Sequence, residues 1–358
     1  MRIHFMINGV GQGHVYRTLP IMKQLAKRHK ITASSFGDAL RILEENGYPG
    51  AYELKPFGDV VAQGFKVNIK QSLLDNAKKL GPGLIKRTSD IITDCRADVV
   101  VVDGYLLGLF VAKMLRKSTV TIANCTKLWY VFPKISNIVE SGSDIFSKSV
   151  VDSSDIIIVP DFTPPFDFSR DNLSYFGSAR KFHFVGPTSL IAEDKKGRRP
   201  LVSVGGTRMQ HKSFEHIAEL LDKMGYNPIM ADGHLSEEDM ASAIAQAPFA
   251  VVHGGHTTIM NAVSANTPVI SIPLKGYTER VNNAQGAERA GCGVVLDPEF
   301  IDLDVLKITI GKIRSNYIRE TTTLFSHTAH AMEGHRKAAA LIEKLEEKTI
   351  QKKRHKIF

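Results

Sequence analysis

Cysteine is scarce in this chain: 3 in 358 residues, at Cys95, Cys125 and Cys292, with no CxxC pair. An odd, scattered set excludes a disulfide framework and a cysteine-based zinc site, and it fits a reducing compartment. Long apolar runs are missing as well. The run Ile3–Ile7 is too short for a secretory signal and leads straight into a glycine-rich turn. The longest stretch without Asp, Glu, Lys or Arg, Met240–Leu274, contains His253, His256, Asn261, Asn266, three prolines and a Gly-Gly pair. It therefore reads as a buried strand–helix–strand around a polar site, not as a membrane span. There is no low-complexity segment and no short-period repeat.

Acidic residues are in deficit, 37 Asp+Glu against 46 Lys+Arg, which gives a formal charge of +9 and raises the question of a polyanionic partner. Five of the basic residues sit in Lys348–Phe358, a tail without acids, so residues 1–347 carry only +4. The body is mildly basic and holds no nucleic-acid recognition motif, so nucleic acid is not an expected partner. The tail reads as a solvated basic segment suited to an anionic membrane face. Hydrophobic residues at 43% and charged residues at 23% exclude a disordered chain.

What the chain does have is an alternation of β-rich runs and helical patterns, the signature of parallel sheets covered by helices. Strands are expected at Arg2–Ile7, Ile31–Ser35, Asp98–Val102, Thr119–Ala123 and Asp155–Val159. The pattern restarts with strands at Leu201–Val204, Pro228–Ala231, Phe249–Val252, Val269–Ile272 and Gly293–Leu296. The expected fold class is α/β, with two tandem doubly wound, Rossmann-like parallel sheets and a site in the cleft between them. The expected boundaries are residues 1–160, a proline-rich linker 161–181, residues 182–347 with a C-terminal helix crossing back, and the basic tail 348–358.

Three turns carry the candidate chemistry. Gly9-Val10-Gly11-Gln12-Gly13-His14 joins the first strand to the first helix but lacks the third glycine of GxGxxG. His14 either accepts a proton from a hydroxyl near neutral pH or caps the turn. Gly205-Gly206-Thr207 follows a strand and is a phosphate-binding turn or a plain tight one. His253-Gly254-Gly255-His256-Thr257-Thr258 precedes a helix whose free amides and dipole make an anion site, with Thr257 or Thr258 available to cap it. Asp103 ends a strand and either orients His14 or caps the next helix. Asp302-Leu303-Asp304 opens a helix, where acids complement the dipole, so no metal role is expected. Phe65–Lys70 alternates apolar and basic residues, as a half-buried strand or a segment meeting a membrane or lipid substrate does, and Trp129–Phe132 reads as core or as a flank of the acceptor site.

These pieces, in this order, resemble the GT-B glycosyltransferases. The branch they resemble is family 28 and its archaeal relatives, with the MurG-type N-acetylglucosaminyltransferases and the diacylglycerol glycosyltransferases, together with the UDP-glycosyltransferases. Gly11-Gln12-Gly13-His14-Val15-Tyr16-Arg17 looks like the GxGHxxR turn, His253–Pro268 like HGGxxTxxEAxxxGxP, and Glu279–Ala284 like (D/E)QxxNA. The resemblance covers roughly residues 1 to 315. It implies that an acceptor hydroxyl attacks the anomeric carbon of a nucleotide-sugar, read as UDP-linked, with inversion and without a metal. The nucleotide-sugar is a substrate, so no cofactor is expected. His14, with Asp103, falls at the base; Gly11, Gly13 and Arg17 fall on the acceptor side. Gly205, Gly206, Thr207, His253, Gly254, Gly255, His256, Thr257, Thr258, Asn261, Glu279, Arg280 and Asn283 fall on the donor side. Asn261 stands in place of the glutamate that in the family holds both ribose hydroxyls, and it offers a single acceptor oxygen. Arg280 stands in place of a glutamine. A lipid or lipid-linked acceptor, a cytoplasmic location and a peripheral position on the inner membrane face follow from the resemblance and the tail. The rival readings are a UDP-N-acetylglucosamine 2-epimerase-like enzyme and a non-catalytic glycosyltransferase-like subunit.

Overall fold

The computed structural model describes residues 1–56, 62–63, 66–68, 71, 75, 78–79, 81–126, 151–173, 179–206, 211–232 and 235–354. Thr207, Trp129–Phe132, Phe65, Ile69, Lys70 and the last four residues of the tail lie outside them.

The first half is built from β1 (Arg2–Ile7), β2 (Lys30–Ser35), β3 (Tyr52–Glu53), a small ribbon β4 (Ala62–Gln63) and β5 (Lys66–Val67), then β6 (Val99–Asp103), β7 (Ser118–Ile122), β8 (Ile156–Val159) and β9 (Phe182–Phe184). Seven of these form one parallel sheet in the order β3-β2-β1-β6-β7-β8-β9. The valine run of β6 is buried throughout, as a central strand covered on both faces requires. The helices here are α1 (Gly13–Ala26), α2 (Gly37–Glu45), α3 (Pro82–Asp94) and α4 (Leu106–Met114). The helix after Asp103 starts only at Leu106, because Gly104 has a φ of +72° and Tyr105 is the N-cap.

The second half holds β10 (Leu201–Ser203), β11 (Ile229–Ala231), β12 (Ala250–Val252), β13 (Val269–Ser271) and β14 (Gly293–Val295). They form a parallel sheet in the order β11-β10-β12-β13-β14. Its helices are α5 (His211–Lys223), α6 (Glu237–Gln246), α7 (His256–Ser264), α8 (Thr278–Arg289) and α9 (Leu303–Ile313), followed by α10 (Asn316–Met332) and α11 (Gly334–Arg354). Asp302 caps α9 by accepting from the Val305 N–H, the structural role expected of that acid.

Two features depart from the sequence reading. Residues 182–184, expected to open the second half, pair with β8 and extend the first sheet. The proline-rich segment before them is packed, with Phe162 and Phe168 in the second core. The buried carboxylate of Asp161 pins it by accepting from the N–H groups of Phe162, Phe168 and Ser169 and from the Ser169 hydroxyl. The chain then crosses back: α11 contributes Ala338, Ala339, Ile342 and Leu345 to the core that holds β1 and α1.

In each sheet the strand order reverses once, between β1 and β6 and between β10 and β12. Loops at the carboxyl ends of strands flanking such a reversal are where α/β sheets bind ligands. His14 and Asp103 lie at the first reversal; Gly205-Gly206 and His253-Gly254-Gly255 lie at the second.

Candidate functional site

His14 sits in the first turn of α1, and Asp103 is the last residue of β6. Their side chains meet, with Nδ1 of His14 2.6 Å from Oδ1 of Asp103. An ionised carboxylate only accepts, so this contact assigns the imidazole proton to Nδ1. Nε2 has no hydrogen-bond partner among the described residues. The orienting role thus prevails for Asp103, and Tyr105, not Asp103, caps α4.

Asp103 is buried and also accepts from Arg17 Nε at 2.7 Å, from Arg17 NH2 and from Thr18 Oγ1 at 2.8 Å. Burial alone would raise its carboxyl. The Arg17 guanidinium and His14 outweigh that and hold it well below the usual carboxylate range. Arg17, expected on the acceptor side, is itself buried and ion-paired here, though it still forms part of a cavity wall.

The facing turn follows β12. Gly254 has a φ of +83°, and a Cβ there would stand 2.6 Å from the carbonyl oxygen of Arg280. Gly205 has a φ of +78°, and a Cβ there would stand 2.3 Å from the His253 ring. Only glycine fits at both positions, so the glycines pack the two turns onto the histidine and onto α8. Gly255 is the N-cap of α7 and no side chain caps this helix. Its first amides are open, and Thr257 donates instead to the carbonyl oxygen of Gly13 at 3.0 Å. The capping expected of Thr257 or Thr258 is thus not made, which leaves the helix N-terminus available to an anion.

His253 is buried, and burial first and the charge of Arg280 second push its pKa well below the usual value, so it is neutral at pH 7. Its Nδ1 is buried without a hydrogen-bond partner. Arg280 lies over the Tyr277 ring at 4.6 Å, and burial lowers its pKa. His256 faces the other way, with Nε2 3.3 Å from Asp161 Oδ2. Asn261 Oδ1 is a further buried oxygen without a partner.

One cavity of about 280 Å³ gathers most of the expected residues. From the first half Gly11, Gly13, His14 and Arg17 form part of its wall; from the second, Gly205, Gly206, His253, Gly255, His256, Thr257, Thr258, Asn261, Glu279 and Arg280 do. Asp103 and Gly254 support this wall from behind. Asn283, expected as a donor contact, is also off the wall. It is fully buried and pins the turn, donating to the Gly254 carbonyl at 3.3 Å and accepting from Asn172 at 2.8 Å. Among the described residues no group of three His, Cys, Asp or Glu could hold a metal ion.

The sequence reading missed two polar residues. Asn124, just past the end of β7, accepts from Arg17 NH1 at 2.6 Å and donates to Glu279 Oε1 at 2.9 Å. Its place beyond a strand's carboxyl end was the only available signal. The partner of His256, Asp161, was hidden in the presumed linker. The apolar wall from Leu235, Met240, Ala241 and Ile244 also escaped notice, because its residues look like ordinary core.

Comparisons agree with this architecture. Residues 216–345 match the model of the glycosyltransferase family 28 C-terminal domain, and residues 1–161 match that of glycosyl transferase family 1. The chain is 27% identical over 381 residues to an uncharacterized glycosyltransferase of Methanosarcina mazei, covering 96% of this chain and 98% of that one. It is 25% identical to the UDP-N-acetylglucosamine--N-acetylmuramyl-(pentapeptide) pyrophosphoryl-undecaprenol N-acetylglucosamine transferase of Acetivibrio thermocellus, covering 84% of this chain and 86% of that protein. The crystal structure of the calicheamicin glycosyltransferase superposes with a TM-score of 0.66 at 19% identity, covering 96% of this chain and 98% of that one. The fold and the two family matches define a glycosyltransferase of the GT-B type. Within that class the match to the family 28 C-terminal domain lies in the second half, over residues 216–345.

Proposed function

We propose that this protein transfers a sugar, with inversion, from a nucleoside-diphosphate donor of the UDP type to a hydroxyl of a lipid or lipid-linked acceptor. The observation that carries the reading is the free Nε2 of His14, fixed by Asp103 on the wall of the same cavity that receives the open N-terminus of α7.

In the reaction the acceptor oxygen forms a bond to the anomeric carbon as its proton passes to His14 Nε2. The bond from that carbon to the diphosphate oxygen breaks, and the electron pair leaves with the nucleoside diphosphate. Asp103 stabilises the imidazolium that forms. Charge growing on the leaving group is met by the first amides of α7, by neutral His253 and by the Arg280 guanidinium. Donors held in place before charge develops stabilise the transition state more than the ground state. Glu279 receives hydroxyls of the donor sugar, and the apolar wall of α6 suits a nucleobase. No metal takes part in this scheme.

Among the described residues no helix is long and apolar enough to cross a membrane. We propose that the protein works at the cytoplasmic membrane face, held there through Lys348–Phe358. The relative named above acts on an undecaprenol-linked substrate, which supports a lipid-type acceptor here.

The deciding experiment incubates the protein with UDP-sugars and membrane lipid extract. UDP release that requires the extract, and that His14→Ala abolishes while UDP binding persists, is the expected result. Sugar interconversion without acceptor would instead favour the epimerase. If UDP, GDP and TDP all leave the melting temperature unchanged, the donor site is misassigned.

A further inference from the structure

A continuous hydrogen-bonded chain runs from the base to the far side of the cavity. His14 is bound by Asp103, Asp103 by Arg17, Arg17 NH1 by Asn124 Oδ1 at 2.6 Å, and Asn124 Nδ2 by Glu279 Oε1 at 2.9 Å. Its members come from α1, the end of β6, the loop after β7 and α8, so it joins both halves of the molecule.

Asn124 is the member with no other assignment. It is 2% exposed and does not form part of the cavity wall. Its amide cannot flip. Arg17 only donates, so the oxygen must face the guanidinium; the NH2 group then has to face the carboxylate of Glu279. A carboxylate held through one oxygen keeps its other oxygen in a fixed direction. Glu279 Oε2 has no hydrogen-bond partner among the described residues, while the residue forms part of the cavity wall. The Glu279 backbone is fixed too, since Asn172 Nδ2 donates to its carbonyl oxygen at 3.2 Å.

We propose that Asn124 is a positioning residue that aims Glu279 at the donor sugar and ties it to the orientation of His14. The proposal rests on the donor reading above. The base and the sugar-binding carboxylate sit on different halves. A separate anchor for each would let them drift relative to each other, and misplacement by about an ångström costs on the order of a hundredfold in rate. The Asp103–Arg17–Asn124 relay gives both the same anchor. Asparagine suits this place because it accepts from a cation and donates to an anion at once. Aspartate would face Glu279 with a second acceptor, and the two carboxylates would then have to share a proton.

The test measures binding of UDP, UDP-glucose and UDP-N-acetylglucosamine to wild type, Asn124→Ala, Asn124→Asp and Glu279→Gln by calorimetry between pH 5.5 and 8.5. For Asn124→Ala we expect UDP affinity within twofold of wild type, and a loss of about tenfold in the advantage of the preferred UDP-sugar over UDP. Asn124→Asp should show the same loss at pH 8.5 and recover it toward pH 5.5, where the carboxylate pair holds a proton. A purely structural role would not produce that pH-dependent recovery. Glu279→Gln should abolish the pH effect in the Asn124→Asp background. If wild type binds and Asn124→Ala keeps the full sugar advantage, the positioning role is overturned while the donor site stands. The positioning role is overturned equally if Asn124→Asp is indifferent to pH. If wild type binds none of the three probes, both readings fall together.

Discussion

The hydroxyl of Thr257 donates across 3.0 Å to the carbonyl oxygen of Gly13, so the first turn of α7 is bonded to the turn that presents His14. This contact fastens the two glycine-rich turns to each other, and the Asn124–Glu279 bond joins the same two halves beside it. Thr257→Val keeps the shape of the side chain and removes the donor, so the bond between the two turns is lost while the Gly13 carbonyl keeps its place in the α1 ladder. The expected loss is about 1–2 kcal/mol of stability, measured by chemical denaturation. A larger fractional fall in turnover than in UDP affinity is expected with it. A variant as stable as wild type would show that water replaces the contact without cost.

Asp103 orients the imidazole and neutralises Arg17, so Asp103→Asn acts on both. Turnover should fall by about a thousandfold or more, because an amide does not enforce the Nδ1–H tautomer. Stability should fall by about 3–5 kcal/mol, since the buried Arg17 loses its counter-charge. The sign with pH follows from the lowered carboxyl. Its stabilisation is complete above the unfolded value of about 3.9 and is lost as pH falls below it. Acid unfolding below about pH 4 should therefore be less steep in the variant, read by circular dichroism. Equal steepness would contradict the ion pair.

His4 gives a second pH dependence, far from the cavity. It is buried between Thr32 Oγ1 at 2.9 Å and Ser34 Oγ at 3.0 Å, and burial pushes its pKa down to about 3. Between about pH 6.5 and that value the unfolded chain binds a proton that the fold refuses. Stability contributed by the neutral ring is therefore present above about pH 6.5 and drains away as pH falls, at about 1.4 kcal/mol per pH unit. His253 adds a shift in the same direction. His4→Gln should flatten the pH 6 to 5 slope by about one proton's worth in urea titrations. An unchanged slope would mean that the ring is protonated in the folded protein.

The basic tail makes a claim separate from the chemistry. Deleting Lys348–Phe358 should weaken binding to vesicles containing anionic lipid, most at low salt, as expected for binding driven by net charge. UDP affinity should not change. Vesicle binding that survives the deletion would remove the membrane argument from the tail.

The strands were legible because they are short, mostly apolar runs followed by turn residues, as in Val99–Val102 before Asp103 and Gly104. The His253 turn was legible from composition alone, since a Gly-Gly pair between histidines before a helix has few other uses. Long-range choices were not legible. Whether Asp103 would cap α4 or bind a histidine 89 residues away depends on sheet order, which local pattern does not encode. Asn124 and Asp161 act only through partners brought by other elements. The membership of Phe182–Phe184 in the first sheet depends on which edge lay open, and a three-residue strand carries no mark of that.

The return of α11 to the first half has a consequence for how the protein is made. Ala338, Ala339, Ile342 and Leu345 complete the core around β1 and α1, and Glu343 binds His29 at 3.0 Å. Domains ordinarily fold in the order in which they leave the ribosome. Here the first sheet emerges with one flank bare and stays so until the whole second half has been synthesised. A fragment ending near residue 199 should therefore be insoluble, and adding a separate peptide spanning 334–354 should rescue it. The half that appears first is the one that finishes last.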